Sequence, residues 1–483
     1  MDNDGFHLSA RGSLGNAAIE KLLRAALGDQ AVLTGEAVTE FASGWSDLGA
    51  PVALVRPADT DQVAAAARIC HQAGIPMVPW GGRTGLVAGA CADGAVAISL
   101  DRMNRIEEVD PVDGVMLVQA GCVVATACEA AEQVDMFFPL DLGSRGSATI
   151  GGVISTNAGG NRVVRFGMTR QLVLGIEVVL ADGTVLSSLH PLIKNNTGYD
   201  LTQLFCGAEG TLGIVTRAVL RLRPAMPGRN VAFVAVEDFN CVTRLLRRLE
   251  SRLGGQLSAF EVMWPEYYHL VTTPPALGRP VLAHSHGYYI LVETMGADRG
   301  EDASHFETVL ASAMEEGLVS DAVIAKSEAE AARMWALRDD GEQVGRIGPY
   351  LPFDVSLRVS RIAPFVAELR AGLELQWPGK QSVVFGHVGD GNIHLVIAAG
   401  DNSAAQREAI TDIVLNLVGK YEGSISAEHG IGLDKLPYLH LSRSPQEIAA
   451  MQRIKHALDP DNIMNPGKVL PAPCPSDAGG AAL

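Results

Sequence analysis

Residues 143–160 read GSRGSATIGGVISTNAGG, and residues 79–89 read PWGGRTGLVAG. Both stretches are dense in glycine and in small hydroxyl or amide side chains. Glycine lets a backbone come close to a ligand, and successive exposed N–H groups form a concave seat for an anion. A third stretch of this kind, CGAEGTLGIV, occupies 206–215. Any one of them reads equally well as a turn. Three in one region favour a cradle for the pyrophosphate and ring of a dinucleotide. No GxGxxG follows the first strand-like run and opens a helix, so the nicotinamide fingerprint is missing. A dinucleotide held without it points to a different fold.

Around these loops, from about 51 to 224, strand-like and helical runs alternate. VALVRP is strand-like, DQVAAAARICHQAG is a helix ending in glycine, and IPMVPW is a strand entering the first loop. VMLVQAG, LVLGIEVVLADGTVL and LGIVTRAVLRLRP are further strands with turn punctuation. PAMPGR (224–229) reads as a linker. Beyond it, to about 421, helices such as DFNCVTRLLRRLESRLGG alternate with strands such as YYILVETMG, a second α+β pattern. Residues 444–458 form an amphipathic helix, and the Pro, Ala and Gly of 471–483 suggest a disordered tail.

Bulk composition narrows the class. A chain of 483 residues suggests two or three domains, and 47% hydrophobic residues can fill them. The formal charge of −17 comes without any basic stripe, which argues against a nucleic-acid partner. The seven cysteines (70, 91, 122, 128, 206, 241 and 474) form no CxxC and read as small apolar residues in a reducing compartment. No signal-peptide layout opens the chain, and no apolar run reaches the ~18 residues of an integral membrane segment. A cytoplasmic protein is expected.

The stretch GHVGDGNIH (386–394) places two histidines around a turn. Asp390-Gly391 is a pair favoured in two-residue type I′ hairpin loops. That loop pairs Gly389 with Asn392 and puts His387 directly opposite His394, Cβ atoms about 4.5–5.5 Å apart. A slip of one residue would send the two to different faces. SISAEHGIG (424–432) adds adjacent Glu428 and His429, which point different ways from an extended segment. His387, His394 and Glu428 then make a two-histidine, one-carboxylate set with open positions, suited to a divalent metal such as Zn or Mn. The competing reading is a satisfied core histidine pair beside a surface Glu-His. HSH (284–286) also puts two histidines on one strand face, but without a third ligand it reads as structural.

The succession GIPMVPWGGRTGL, GSATIGGVISTNAGG, LVLGIEVVLADGTVL, NNTGYDL and GAEGTLGIVTRAVLRL resembles the FAD-binding domain of the vanillyl-alcohol oxidase/p-cresol methylhydroxylase flavoproteins. GHVGDGNIH, SAEHGIG and LDPDNIMNPGKVL resemble the branch containing D-lactate, glycolate and D-2-hydroxyglutarate dehydrogenases. The resemblance runs from about Phe41 to Leu470. It implies an α+β chain: a two-subdomain FAD-binding domain of the p-cresol methylhydroxylase type (47–226) and an α+β substrate and metal cap domain with an antiparallel sheet (227–430). An N-terminal segment (1–46) is expected to pack on the FAD domain, and 431–470 to return to it.

By the same resemblance FAD contacts fall on Pro79, Trp80, Gly81, Gly82, Arg83, Thr84 and Gly85, then on Ser144, Gly146, Ser147, Thr149, Gly151, Gly152, Thr156, Asn157 and Ala158, with Gly213 and Ile214. Some relatives link the flavin covalently through a histidine in the first loop. Arg83, Thr84 and Gly85 stand there in this chain, so non-covalent FAD is expected. The metal ligands are again His387, His394 and Glu428. A cation on the substrate hydroxyl acidifies it, as zinc lowers bound water from a pKa of 15.7 to about 7. His429 is then the general base and FAD the hydride acceptor. Arg338 in MWALRDD (334–340), otherwise a surface arginine on a helix, is the implied anchor for the substrate carboxylate.

Three positions depart from the relatives that act on D-2-hydroxyglutarate: Glu342, Pro352 and Val396 replace a Thr, a Lys and an Asn. An acidic and two apolar residues suit a second carboxylate poorly. A monocarboxylic D-2-hydroxy acid such as D-lactate is therefore the expected substrate, with D-2-hydroxyglutarate the alternative. Electrons would pass to a separate acceptor such as an electron-transfer flavoprotein or quinone, oxygen being the rival acceptor. A flavin-free metal-dependent hydrolase is the rival from another class. A homodimer is compatible with the chain.

Overall fold

The computed structural model of the chain describes residues 15–471. The expected C-terminal tail, from 472 onward, and residues 1–14 of the expected N-terminal segment lie outside the described residues.

Local signals set the first elements. The helix Thr60–Ala73 starts where Asp59 accepts the Gln62 N–H and stops at Gly74, in the left-handed conformation at φ 63°. Its Val63, Ala66, Ala67 and Cys70 are buried in a cluster with Ile19, Leu23, Val55 and Ile98. The strands Ala53–Val55, Val96–Ser99 and Met77–Trp80 lie side by side and parallel, with Val32–Leu33 antiparallel at one edge. Ala53–Val55 and Val96–Ser99 are buried throughout, as strands of a parallel sheet covered on both faces are. A second, antiparallel sheet orders Ile106–Asp110, Val115–Gln119, Ile214–Arg221, Val173–Val179 and Val185–Ser188.

The stretch 224–229 differs from the linker expected of it. Arg223–Pro224 pairs with Met136–Phe137, the Ala225 N–H bonds to the Asp135 carbonyl, and Gly228–Val236 is already a strand. The backbone groups of a proline-rich passage have been paired, which leaves little free chain between the sheets.

A seven-stranded antiparallel sheet follows, ordered Asp321–Ile324, Gly228–Val236, Tyr288–Gly296, Leu257–Met263, Ser382–Gly386, Asn392–Ala398 and Tyr350–Ser356. Helices Phe239–Arg252, Arg299–Glu315, Val359–Gln376 and Ala404–Lys420 fill one apolar cluster against it, and Pro265–Thr272 and Glu328–Asp339 fill another. The period of two sorts the side chains. Val262, Val355, Ile393 and Leu395 enter the first cluster. Their neighbours Glu261, Asp354 and His394 therefore face the other side, where the chemistry gathers. The α+β reading with an antiparallel sheet holds.

Residues near the C-terminal end of the described chain come back to the glycine loops. Met464 bridges to Met77, the Asn465 amide donates to the Gly89 and Glu209 carbonyls at 3.1 and 2.7 Å, and Lys468 donates to the Cys91 carbonyl at 2.8 Å. No helix among the described residues is long and apolar enough to cross a membrane.

Candidate active site

The three glycine loops surround a cavity of about 320 Å³. Its wall includes Pro79 through Gly85, then Ser144, Thr149, Gly151, Gly152, Thr156 and Ala158, and Gly213 with Ile214. A second cavity of about 570 Å³ shares Trp45, Gly81 to Thr84, Leu100 and Thr149 with the first, and adds Ser147. Gly146 and Asn157 line neither. Gly146 is exposed, and Asn157 ends the helix Ile150–Thr156 in the left-handed conformation while accepting the Arg170 N–H.

The loops fit a dinucleotide on two observations. They pack too closely for side chains at their glycines: a Cβ on Gly81 would meet the Thr149 hydroxyl at 2.7 Å, and one on Gly82 would overlap the Ser147 carbonyl oxygen. The Thr149 Oγ1 is also buried without a hydrogen-bond partner, on the wall of both cavities. Such an atom costs free energy until a ligand satisfies it. Trp45 and Leu142 also line the wall but lie outside the glycine-rich stretches; Glu209 lies within the third one, where glycine density alone gave its carboxylate no role.

The hairpin is built differently from the tight turn its Asp-Gly pair suggests. His394 pairs with Phe385, not His387, and the Asn392 N–H bonds to the His387 carbonyl. Residues 388–391 form the loop, held by the Asp390 carboxylate on the Asn392 N–H at 3.2 Å. The Leu357 N–H binds the Gly391 carbonyl at 2.9 Å, fixing the loop to the next strand. The register is displaced by two residues, and a shift of two keeps every side chain on its face. His387 and His394 become diagonal neighbours, with ring centroids 5.2 Å apart.

Glu428 joins them: one ligand atom from each of the three lies within 4.8 Å of the others, and His387 Nε2 is 4.0 Å from Glu428 Oε2. Metal–ligand bonds of 2.0–2.2 Å bring ligand atoms to about 3–3.5 Å, so the set has to close by roughly 1 Å onto an ion. The donor types fit, with one proton to displace: burial by itself would lower His387, but the charge and hydrogen bond of Glu261 outweigh it and raise its pKa to about 9. Glu261 Oε1 sits 2.7 Å from His387 Nδ1, which leaves Nε2 toward the cluster. Enclosure, together with His387 and Arg338, pushes His394 well below the usual histidine range, which favours the neutral imidazole that a cation would need. Asp354 Oδ1 is buried without a partner, 3.8 Å from His394 Nδ1.

Arg338 is not a surface residue. Near the end of Glu328–Asp339 it is only 7% exposed, its Nε donates to Glu261 Oε2 at 2.7 Å, and Nη2 lies 3.2 Å from His387 Nε2. Burial by itself would raise Glu261; the charges of His387 and Arg338 outweigh it and take its pKa down to about 2. Val396 is buried on the face of His394, opposite Pro352 on the edge strand. Glu342 is exposed on the turn Gly341–Ile347.

His284 and His286 fall in a turn and not on a strand. They bond to Thr272 and Glu237 at 2.8 and 2.9 Å.

Glu428 and His429 also line the flavin-loop cavity. A Cβ on Gly159 would overlap Glu428 Oε1. The histidine cluster and the glycine loops thus share Glu428. Glu261 and Asp354 were missed in the sequence, although each is a lone carboxylate in an apolar strand, LSAFEVM and LPFDVS.

Residues 51–188 match the family model for an FAD binding domain, and 226–469 the model for FAD linked oxidases, C-terminal domain. The chain belongs to the FAD-linked oxidases. Among its relatives, a probable mitochondrial D-2-hydroxyglutarate dehydrogenase of Oryza sativa subsp. indica is 40% identical over 426 residues, 88% of this chain and 76% of the relative. The D-2-hydroxyglutarate dehydrogenase of Xanthomonas citri pv. viticola is 39% identical, over 87% of this chain and 89% of its own. The crystal structure of p-cresol methylhydroxylase with substrate bound superposes with a TM-score of 0.76 at 18% identity, covering 95% of this chain and 98% of that one. That likeness establishes the fold. As an FAD-linked oxidase, the protein is a flavoprotein oxidoreductase.

Proposed function

We propose that the protein oxidises a D-2-hydroxy acid to the 2-oxo acid, using FAD in the glycine-loop cavity and a divalent cation, Zn or Mn, on His387, His394 and Glu428. One observation carries this reading: Glu428 belongs to the histidine cluster and to the flavin cavity at once. Bound FAD supplies the hydride acceptor. A bound cation would make the substrate hydroxyl more acidic.

The chain's own groups do the rest. The Arg338 guanidinium, already oriented by Glu261, receives the substrate carboxylate. His429, on the cavity wall, takes the hydroxyl proton onto its ring. Asp354 Oδ2 holds the His429 N–H at 3.1 Å and lies 3.9 Å from its Nδ1, so a negative charge faces the imidazolium as it forms. Electrons leave for a separate acceptor such as an electron-transfer flavoprotein or quinone, in a reducing compartment such as the cytoplasm. Anaerobic bleaching of the flavin by D- but not L-2-hydroxy acids tests the reading; a flavin that no D-acid reduces would end it.

FAD is proposed to be non-covalent, since residues 79–89 hold no histidine. Acid denaturation should release all the yellow colour into the supernatant, and colour retained by the precipitated chain would contradict this.

Within D-2-hydroxy acids, the buried Val396 beside Pro352 makes an apolar wall two residues from His394. Neither side chain offers a charge to a second substrate carboxylate. kcat/KM for D-lactate or a larger monocarboxylic D-acid is expected to exceed that for D-2-hydroxyglutarate, measured with a dye acceptor. The second reading, D-2-hydroxyglutarate itself, is favoured by the names of the 39–40% identical relatives. A preference for it over every monocarboxylate would select that reading.

A further inference from the structure

We infer that Glu209 is a positioning residue that ties the flavin cavity to the segment carrying Glu428 and His429. The inference rests on the reading above of those two residues as working groups. Glu209 lies in the third glycine loop and is, with Glu428, one of two carboxylates on the cavity wall. Its backbone is pinned in the left-handed region at φ 50°: the N–H donates to the Ser155 carbonyl at 2.7 Å, and the carbonyl accepts the Asn465 amide at 2.7 Å. Oε1 accepts the Ile431 N–H at 2.6 Å and Oε2 accepts the Gly432 N–H at 2.9 Å.

From the opposite side, Asp354 Oδ2 accepts the N–H groups of Ala427, Glu428 and His429 at 3.1, 2.8 and 3.1 Å. Five amides in the six residues 427–432 therefore end on two carboxylates, one from each major sheet-bearing region. Lys435 Nζ reaches the Asp354 carbonyl at 3.3 Å, and its charge acts on both carboxylates. Gly430, at φ 83°, has no room for a side chain, because a Cβ there would meet Glu209 Oε1 at 2.6 Å. An extended segment with no ladder of its own has its amides satisfied by charge instead. Since Glu209 shares its loop with Gly213 and Ile214 of the cavity wall, it links that wall to the segment carrying His429.

The test compares Glu209→Gln with wild type as the full FAD-loaded chain. The glutamine can accept only one of the two amides and presents a donor to the other. Hydrogen–deuterium exchange reads the clamp directly, and peptides over 430–433 should exchange about 10-fold faster or more in the variant. Stopped-flow reduction by the best D-acid of the panel reads its consequence. The limiting rate should fall about 10-fold or more, with the half-saturating concentration changed by less than about 3-fold and FAD content unchanged. Gly430→Ala pushes on the same carboxylate from the other side and serves if the glutamine variant does not fold. Exchange and limiting rate within about 2-fold of wild type would overturn the inference. So would a rate loss that merely follows loss of FAD. If no D-acid reduces the wild-type flavin, the functional reading falls alone, and exchange still decides whether Glu209 holds the segment.

Discussion

Arg338→Ala is expected to lower kcat/KM by about 100-fold or more on every 2-hydroxy acid, because the carboxylate it receives is common to all of them. A charge-assisted hydrogen bond contributes about 1.5–3 kcal/mol, and each 1.36 kcal/mol is a factor of ten. Stability should suffer as well. Glu261 is 1% exposed and would keep only His387 and lose its 2.7 Å contact with Arg338 Nε. Removing one partner of a buried ion pair costs about 3–5 kcal/mol. The two effects separate in the double variant Arg338→Met/Glu261→Gln, which should recover melting temperature without recovering turnover. Near-normal kcat/KM across the panel for Arg338→Ala would show that the guanidinium only buttresses His387.

The second large effect concerns the histidine cluster. His387→Ala, His394→Ala and Glu428→Gln should each lose bound metal by elemental analysis and abolish turnover, since two remaining ligands hold a cation poorly. Glu261→Gln, which touches only His387 and Arg338, should weaken metal affinity about 10–100-fold, as loss of an orienting partner does. The three ligand variants should differ at the flavin. Neither histidine lines the FAD cavity, so their variants keep the flavin spectrum of the parent. Glu428 packs on Gly159 and lines that cavity, so its variant should shift that spectrum. Turnover close to wild type for all three in chelator-treated buffer would remove the metal from the mechanism.

Much of this site could be read along the chain because its signals are short in range. Glycine density marked the cavity, and the parity of a strand put His387 and His394 on one face. That parity survived an error of two residues in the register, since side chains repeat every second position. The turn itself was misread. The loop of 388–391 is held in part by the Leu357 N–H, just past the end of the adjoining strand and invisible in the hairpin's own sequence.

What stayed hidden was the set of buried carboxylates that the chain delivers from far away. Glu261 meets His387 across 126 residues because Leu257–Met263 pairs with Ser382–Gly386, strands that are not consecutive in the chain. Asp354 meets the His429 amide across 75 residues, and Glu209 meets Ile431 across 222. A lone carboxylate in an apolar strand shows within its own window only that it needs a partner. Which partner it finds is settled by the order of strands in the sheet and by the docking of two cores, and both are set by burial of apolar surface summed over the whole chain.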